Sequence, residues 1–312
     1  MTSVTPTIEP PAHAAVRRGR PGNPGASRDG RLAMWLLAPA VVLLVIVVGC
    51  PILWALLRSL FDDPIREAPR FIGLENYSRA LSSSDFWEAL RVTLFFAIVT
   101  VGLEVAIGFA MALIMDGVAH GRSLVRTSVL VPWAIPTAVS AVLWSWMLQP
   151  TGILNQLLGT EVIWTGREWP AKLAIIVADT WKTAPFVGLI LLAGLQTIPR
   201  QLYEAARIDG ASQWQQFRSI TLPLVRPALL VAVLFRALDV LRIYDLPAIL
   251  TGGANDTTTL SILVVQAAIG TLRPGYGSAL STLTFLVVFL VAFVFVYLFG
   301  ARVVQREAGG RN

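Results

Sequence analysis

Charged residues are scarce in this chain of 312 residues: Asp, Glu, Lys and Arg make up 14% of it, whereas 55% of the residues are hydrophobic. Soluble domains carry about 25% charged and about 45–50% apolar residues. A surface built from so few charges is too apolar for an ordinary soluble enzyme, a disordered protein or a nucleic-acid-binding protein. The composition therefore indicates an integral membrane protein.

Lysine, cysteine and histidine are also rare, and each shortage excludes a kind of chemistry. Neither Lys172 nor Lys182 belongs to a Gly-x-x-x-x-Gly-Lys phosphate loop, which an ATPase of that type would need. The single Cys50 cannot form a disulfide within the chain, and His13 and His120 form no metal-ligand set. We therefore expect no catalytic residue, no metal and no cofactor in this chain.

The chain instead contains several long apolar stretches. About 20 mostly apolar residues cross a hydrocarbon core of roughly 30 Å, and a segment inside lipid must satisfy its own backbone hydrogen bonds. We therefore predict an all-α integral membrane fold with six transmembrane helices. The predicted spans are Met34–Leu57, Arg91–Met115, Leu124–Leu148, Leu173–Leu195, Leu224–Leu250 and Leu280–Phe299.

The distribution of arginine and lysine predicts the orientation of these spans. Most of the basic residues fall in the N-terminal tail, the second loop, the fourth loop and the C-terminal tail. Because basic loops stay in the cytoplasm, we expect a multi-pass protein of the inner (plasma) membrane with both termini cytoplasmic. Residues 1–30 are rich in Pro, Gly, Ala and Arg and are predicted to form a disordered tail. The transmembrane domain then comprises residues 31–312.

The fourth loop, residues 198–223, contains signals for helix, turn and helix. Gly210 suits the left-handed residue that closes a helix. Ser212, followed three residues later by Gln215, is a capping-box pattern for the next helix, and Pro223 is expected to end it. Taken alone, these signals are also compatible with an amphipathic connector lying on the membrane surface.

The same loop resembles the EAA loop of binding-protein-dependent ABC importers, with the matching residues Glu204-Ala205-Ala206, Gly210 and Ile220-x-Leu222-Pro223. In that family the loop forms a coupling helix that docks into a cleft of a cytoplasmic ATPase subunit. The coupling residues that the resemblance implies are Glu204, Ala205, Ala206, Asp209 and Gly210.

Trp181-Lys182-Thr183 and the Arg-x-x-Asp pattern at 236–239 resemble actinobacterial trehalose-type permeases. Further segments resemble sugar permeases and their maltose/trehalose branch. The matching segments are Phe71–Tyr77, Gly152–Asn155, Phe235–Asp245, Leu250–Gly253 and Gly275–Leu280. The resemblance implies a permease subunit of an ATP-driven importer of a disaccharide such as trehalose or maltose. It also implies a second permease, two ATP-binding subunits and an external solute-binding protein as partners, and no nucleic acid. We expect Phe71–Tyr77 and Thr251–Thr259 to face the binding protein.

Charges at mid-membrane depth mark a candidate sugar site, because such charges are costly unless they face a partner or a water-filled cavity. From the rise per residue of a helix, Asp179 and Lys182 lie at about the same depth in the membrane as Arg236 and Asp239. This predicts the pairs Lys182–Asp239 and Asp179–Arg236. The candidate substrate-binding residues are Asp179, Trp181, Lys182, Arg236, Asp239, Arg242, Tyr244, Asp245 and Trp146. Alternatively, these charges only hold the helices together.

Two other classes of membrane protein would also place charges inside the bilayer. One is an ion-coupled secondary transporter, although the chain has no evident internal repeat. The other is a membrane-embedded enzyme, in which Glu104, Asp179 and Asp239 would be the acid–base candidates.

Overall fold

The computed structural model describes residues 26–64, 68–118 and 121–300. Almost all regular structure in these residues is helical, apart from a two-stranded antiparallel ribbon of β1 (Phe61–Asp62) and β2 (Arg70–Phe71). The α-helices are α1 (Ala26–Leu44), α2 (Cys50–Arg58), α3 (Glu75–Ser82), α4 (Ser84–Gly117), α5 (Arg122–Ala134), α6 (Thr137–Met147), α7 (Ile153–Leu158), α8 (Glu168–Leu195), α9 (Arg200–Ile208), α10 (Gln213–Gln216), α11 (Leu222–Val240), α12 (Asp245–Leu250), α13 (Leu260–Val265) and α14 (Pro274–Phe295). Short π-helical turns connect or extend some of them, at Val45–Gly49, Phe217–Thr221, Gln266–Gly270 and Val296–Gly300.

Five of the helical stretches are long and apolar enough to cross a membrane, and a sixth is a bent pair. The uninterrupted candidates are Met34–Arg58, Ser84–Gly117, Glu168–Leu195, Gln213–Val240 and Pro274–Phe299. This agrees with the predicted all-α membrane fold. Residues 1–25 of the predicted tail lie outside the described residues, and α1 begins within the remainder of that segment, at Ala26.

The chain divides into a unit that ends at Leu53 and a unit that begins at Trp54. In the first unit, the apolar side chains of α1 that the structure describes are largely exposed. In the second unit, β1 and β2 lead to α3, where Asn76 is fully buried. Its amide donates to the carbonyl oxygens of Ser59 and Phe61, both at 2.9 Å.

The third predicted span, Leu124–Leu148, is not one straight helix. It consists of α5 and α6, which meet at an angle of 88°. The break falls at Ile135, whose backbone is extended, directly before Pro136. A residue that precedes proline is disfavoured in the helical conformation, and proline has no N–H for a helical hydrogen bond. The bend therefore has a local cause in the sequence.

The fifth predicted span, Leu224–Leu250, is also interrupted. Helix α11 ends at Val240, and the chain turns at 241–244 before α12 begins. Pro247 lies in the first turn of α12, where a missing N–H costs no helical hydrogen bond. In an unbroken helix the same proline would clash with the preceding turn, so the interruption places it without strain.

Helices α4, α8 and α11 form the centre of the second unit. A close approach of α4 and α8 is possible because Gly108 faces Gly188. A Cβ atom built on Gly108 would lie 2.9 Å from both the carbonyl oxygen of Ala184 and the amide nitrogen of Gly188. Small residues allow transmembrane helices to pack with their backbones in contact. This contact brings the polar residues of α4 and α8, one helical turn further along, to within hydrogen-bonding distance.

Candidate functional site

Three carboxylates surround the guanidinium group of Arg236 inside the helical bundle. Its Nε lies 2.5 Å from Oε2 of Glu104, and its Nη2 lies 2.7 Å from Oε1 of the same residue. Nη2 also contacts Asp179 at 3.0 Å, and Nη1 contacts Asp239 one turn along α11. The hydroxyl of Thr183 lies 2.5 Å from Oε1 of Glu104. We refer to Glu104, Asp179, Thr183, Arg236 and Asp239 as the Arg236 network.

The Arg236 network connects α4, α8 and α11. Glu104 is fully buried, and the Arg236 side chain is only 3% exposed. The predicted pair Asp179–Arg236 is confirmed. The predicted pair Lys182–Asp239 is wrong, because Asp239 lies three residues after Arg236 on the same helix and pairs with it instead. Buried charges require close partners, and the network supplies them for Arg236 and Glu104.

A cavity of about 140 Å³ opens beside this network. We call it the central cavity; its lining residues are Thr137, Asp179, Lys182, Thr183, Arg236, Asp239, Val240, Arg242, Ile243, Tyr244, Asp245 and Leu246. Seven of the nine candidate substrate-binding residues are therefore brought together. Trp181 instead packs edge-on against Trp144, with ring centroids 5.8 Å apart, and Trp146 is exposed; neither lines this cavity.

Lys182 differs from the other buried charges of the cavity. Its residue surface is only 8% exposed, yet it makes no ion pair or hydrogen bond with any residue that the structure describes. Its Nζ reaches the open space of the cavity, where it is free to meet a ligand. Lys182 is therefore the cavity cation best placed to bind a ligand.

The loop between α8 and α11 has the helix–turn–helix form that the sequence predicts. Gly210 follows α9 with φ of +78°, in the left-handed region. Ser212 and Gln215 form both hydrogen bonds of a capping box at the start of α10. The prediction that Pro223 ends this helix is wrong. The helix continues from Gln213 to Val240, because Pro223 lies at the start of α11, after a π-helical turn, where its missing N–H is tolerated.

The two sides of α9 differ. Arg200, Tyr203, Glu204 and Arg207 line a cavity of about 700 Å³ against the ends of α4, α5 and α8. Tyr203 also hydrogen-bonds with Thr221 at 3.0 Å, which ties α9 to the start of α11. The apolar residues on the other side of α9 include Leu202, Ala205 and Ile208. All three are exposed, with Ile208 at 87%.

At the end of the bundle opposite this loop, residues 251–257 lie against α4 and α8. Asn255 and Asp256 have left-handed φ angles of +57° and +55°. Asn255 donates to the carbonyl oxygen of Thr165 at 2.8 Å. Asp256 pairs with Lys172 at 2.5 Å and with Arg91 at 3.2 Å. Partial burial opposes ionisation of Asp256, but hydrogen bonds and charges from Lys172 and Arg91 outweigh it and lower its pKa.

Comparison with known proteins places this arrangement in a family. A family model described as a binding-protein-dependent transport system inner membrane component matches residues 104–305. The chain belongs to this family. The matched range contains the Arg236 network, the central cavity and the loop around α9.

Two curated permeases are similar to the chain along most of their length. The trehalose transport system permease protein SugA of Mycobacterium tuberculosis is 41% identical over 286 residues, which cover 91% of this chain and 93% of SugA. The trehalose/maltose transport system permease protein MalF of Thermococcus litoralis is 42% identical over 279 residues, which cover 87% and 94% respectively. Both relatives are transport permeases, which confirms the expectation of a membrane transport protein rather than an enzyme or an ion-coupled carrier.

A solved structure shares the fold of this permease. One chain of a bacterial alginate ABC transporter, in complex with an alginate pentasaccharide-bound periplasmic protein, matches with a TM-score of 0.76 and 22% identity. The match covers 87% of the permease and 94% of that chain. The permease is thus a multi-pass membrane protein with the helical architecture of an ABC importer.

Sequence reasoning missed the part that Glu104 plays in the site. The sequence presents Glu104 only as an acid–base candidate, whereas its carboxylate accepts two of the hydrogen bonds that hold Arg236. A usable signal existed: Glu104 and Gly108 are one turn apart on the predicted second span. A glycine marks close helix approach, so the neighbouring carboxylate had to meet a polar group on another helix.

Proposed function

We propose that this permease is one of two membrane subunits of an ATP-driven importer of an α-linked disaccharide such as trehalose or maltose. The names of SugA and MalF, which resemble it over most of the chain, support this substrate class. The main observation behind the proposal is that one continuous helix connects the loop around α9 to the charged central cavity. The helix Gln213–Val240 begins in that loop and holds Arg236 at the cavity.

The proposed sugar site is the central cavity. Sugars are bound by convergent polar groups together with an aromatic surface for their C–H face. The unpaired Lys182 and the cavity carboxylates can bind hydroxyl groups, and Tyr244 is the aromatic residue of the lining. Trp181 and Trp146, the other aromatic candidates, lie outside the lining in this structure. Within the Arg236 network, we assign Arg236 and Glu104 to holding the helices.

The proposed ATPase contact is the coupling loop, residues 198–223, with Glu204, Ala205 and Ala206 in α9 and Asp209 and Gly210 at the turn that follows. Supporting evidence comes from the exposed apolar face of α9. No described part of the chain covers Ile208 on this face. An exposed apolar face on a short helix is suited to a cleft in another protein. Closure of two ATPases on ATP would move the coupling loops together and open the central cavity outward.

We further propose the remaining partners and the topology. The partners are a second permease, two ATP-binding subunits and an external solute-binding protein. The periplasmic protein in complex with the alginate ABC transporter supports the last of these. Both termini would lie in the cytoplasm, on the side of the coupling loop. In a Cys50→Ala background, Asn255→Cys should react with an impermeant maleimide in intact cells. Reaction only after permeabilisation would reverse this topology.

Uptake by a strain that lacks the gene tests the substrate assignment. Labelled trehalose or maltose should no longer accumulate, and expression of the intact chain should restore uptake. Uptake of an unrelated amino acid serves as the control and should not change. Equal uptake of both disaccharides with and without the gene would contradict the proposal.

A further inference from the structure

We propose that the permease carries a second sugar-binding site at the end of the bundle opposite the coupling loop. This inference rests on the proposed function, since it names an additional place for the same class of substrate. The site is a cavity of about 400 Å³, which we call the outer cavity. Its lining residues are Arg91, Val92, Phe95, Glu168, Trp169, Lys172 and Asp256.

A buried lysine holds the frame of the outer cavity. The Lys172 side chain is 8% exposed, and its Nζ lies 2.8 Å from Oε1 of Glu168 and 2.5 Å from Oδ2 of Asp256. The same Nζ lies 5.5 Å from the ring centroid of Phe95 and 5.4 Å from that of Trp169. Each contact fixes one wall of the cavity, so the walls keep their geometry without a ligand.

Several hydrogen-bonding groups around this frame remain free. Arg91 is two-thirds exposed and uses only Nη2, which contacts Asp256. Glu168 accepts through Oε1, and its second oxygen contacts no donor within the described residues. The indole N–H of Trp169 donates to no other residue in the described ranges, and Trp169 is 62% exposed. The cavity therefore offers donors, an acceptor and an open aromatic face.

The chemistry of these groups fits an uncharged sugar. Two cations, Arg91 and Lys172, balance two anions, Glu168 and Asp256, so the cavity has no net charge to attract an ion. A guanidinium and a carboxylate can each engage neighbouring hydroxyl groups. The face of Trp169 can cover the apolar C–H side of a pyranose ring.

The position of the outer cavity gives it a place on the route to the central cavity. Lys172 and Asp179 are seven residues apart on α8, which puts them on the same side of the helix and about 10 Å apart along its axis. A disaccharide held at Trp169 would lie above the central cavity on the same helix. The outer cavity is thus a first binding position before the sugar moves deeper.

Equilibrium binding of radiolabelled trehalose to the assembled complex in nanodiscs, without the binding protein, tests this site. We expect two saturable components in the intact complex. Trp169→Leu should weaken one of them at least tenfold and leave the other unchanged, which also shows that the variant is folded. Trp169→Phe, which keeps an aromatic face, should retain both components.

Matched variants separate this inference from the proposed function. Trp87→Leu removes another exposed tryptophan near the start of α4 and should leave both components intact. Lys182→Met should weaken the other component, in the central cavity. Binding that Trp169→Leu does not alter would overturn the outer site and leave the proposed function standing. Absence of all binding, together with no disaccharide uptake in cells, would instead contradict the proposed function.

Discussion

Arg236 and Glu104 are 132 residues apart in the sequence, and the guanidinium of one makes two hydrogen bonds with the carboxylate of the other, at 2.5 and 2.7 Å. This contact joins the middle of α4 to α11, the helix that continues from the coupling loop. Because Asp179 adds a contact from α8, three helices share one cation. The Arg236 network therefore links α4 and α8 to the helix that begins in the loop around α9.

Replacement of Arg236 should destabilise the permease strongly. Arg236→Met leaves three carboxylates without their cation, and removal of one partner of a buried ion pair costs about 3–5 kcal/mol. The yield and thermal unfolding of the purified complex measure this loss. Arg273→Met, at an exposed residue that makes no side-chain ion pair in the described ranges, should change stability by about 0.5 kcal/mol or less.

A second replacement shows whether the unpaired charge is the cause. Addition of Glu104→Gln to Arg236→Met removes a fully buried charge and should recover part of the lost stability. If Arg236→Met were no more harmful than Arg273→Met, or if Glu104→Gln made it worse, the assignment of Arg236 to holding the helices would be wrong.

Loss of Lys182 should affect transport more than stability. Lys182 has no ion-pair partner among the residues described, so Lys182→Met removes its charge without breaking an ion pair or a hydrogen bond. We expect normal assembly and thermal stability but a decrease of about tenfold or more in trehalose uptake, equivalent to about 1.4 kcal/mol of binding. Lys182→Arg, which keeps the charge, is the matched control. Normal uptake by Lys182→Met would remove this residue from the site.

Substitutions of Gly210 should separate backbone conformation from side-chain space. A Cβ atom at Gly210 would meet nothing within 4 Å, but its φ of +78° disfavours residues with a side chain by about 1–2 kcal/mol. Asn tolerates this conformation better than β-branched residues do. In the assembled complex, Gly210→Asn should retain most sugar-stimulated ATP hydrolysis, whereas Gly210→Val should lose it. Equal activities of the two variants would argue against a required turn.

The ion pairs of Asp256 should give the 251–257 segment a defined response to acid. Because its pKa lies below the ordinary value of 3.8, the stabilisation is complete above that value and is lost as the pH falls through the lower pKa. Hydrogen exchange of the segment should therefore be equally protected, after correction for intrinsic rates, from about pH 8 to pH 5. Asp256→Asn should reduce protection throughout. A loss of wild-type protection near pH 6–7 would contradict this ion-pair account.

The features that the sequence predicted well depend on local signals. The capping box of Ser212 and Gln215 and the left-handed Gly210 involve residues a few positions apart, and each forms as expected. Helix rise alone sufficed to predict the Asp179–Arg236 pair, because both residues lie at a similar depth on their helices.

The features that were missed depend on competition between neighbours. Depth in the membrane alone also favours the pair Lys182–Asp239, but Arg236 is a nearer cation for Asp239, one turn away on the same helix.

The bend between α5 and α6 follows from Pro136, yet apolar composition alone predicts one straight span across it. Hydropathy measures the length of an apolar segment and not its continuity as a helix.

ATP-driven accumulation of labelled trehalose in proteoliposomes is the most direct test of the central claim. The vesicles would hold the complete complex of this permease, its partner permease and two ATPases, with ATP inside and sugar-loaded binding protein outside. We predict accumulation above the external concentration only when ATP, the binding protein and this permease are all present. For Lys182→Met we predict continued hydrolysis with accumulation slowed about tenfold or more. Equal accumulation without this permease, or accumulation driven by an ion gradient in the absence of ATP, would contradict the account.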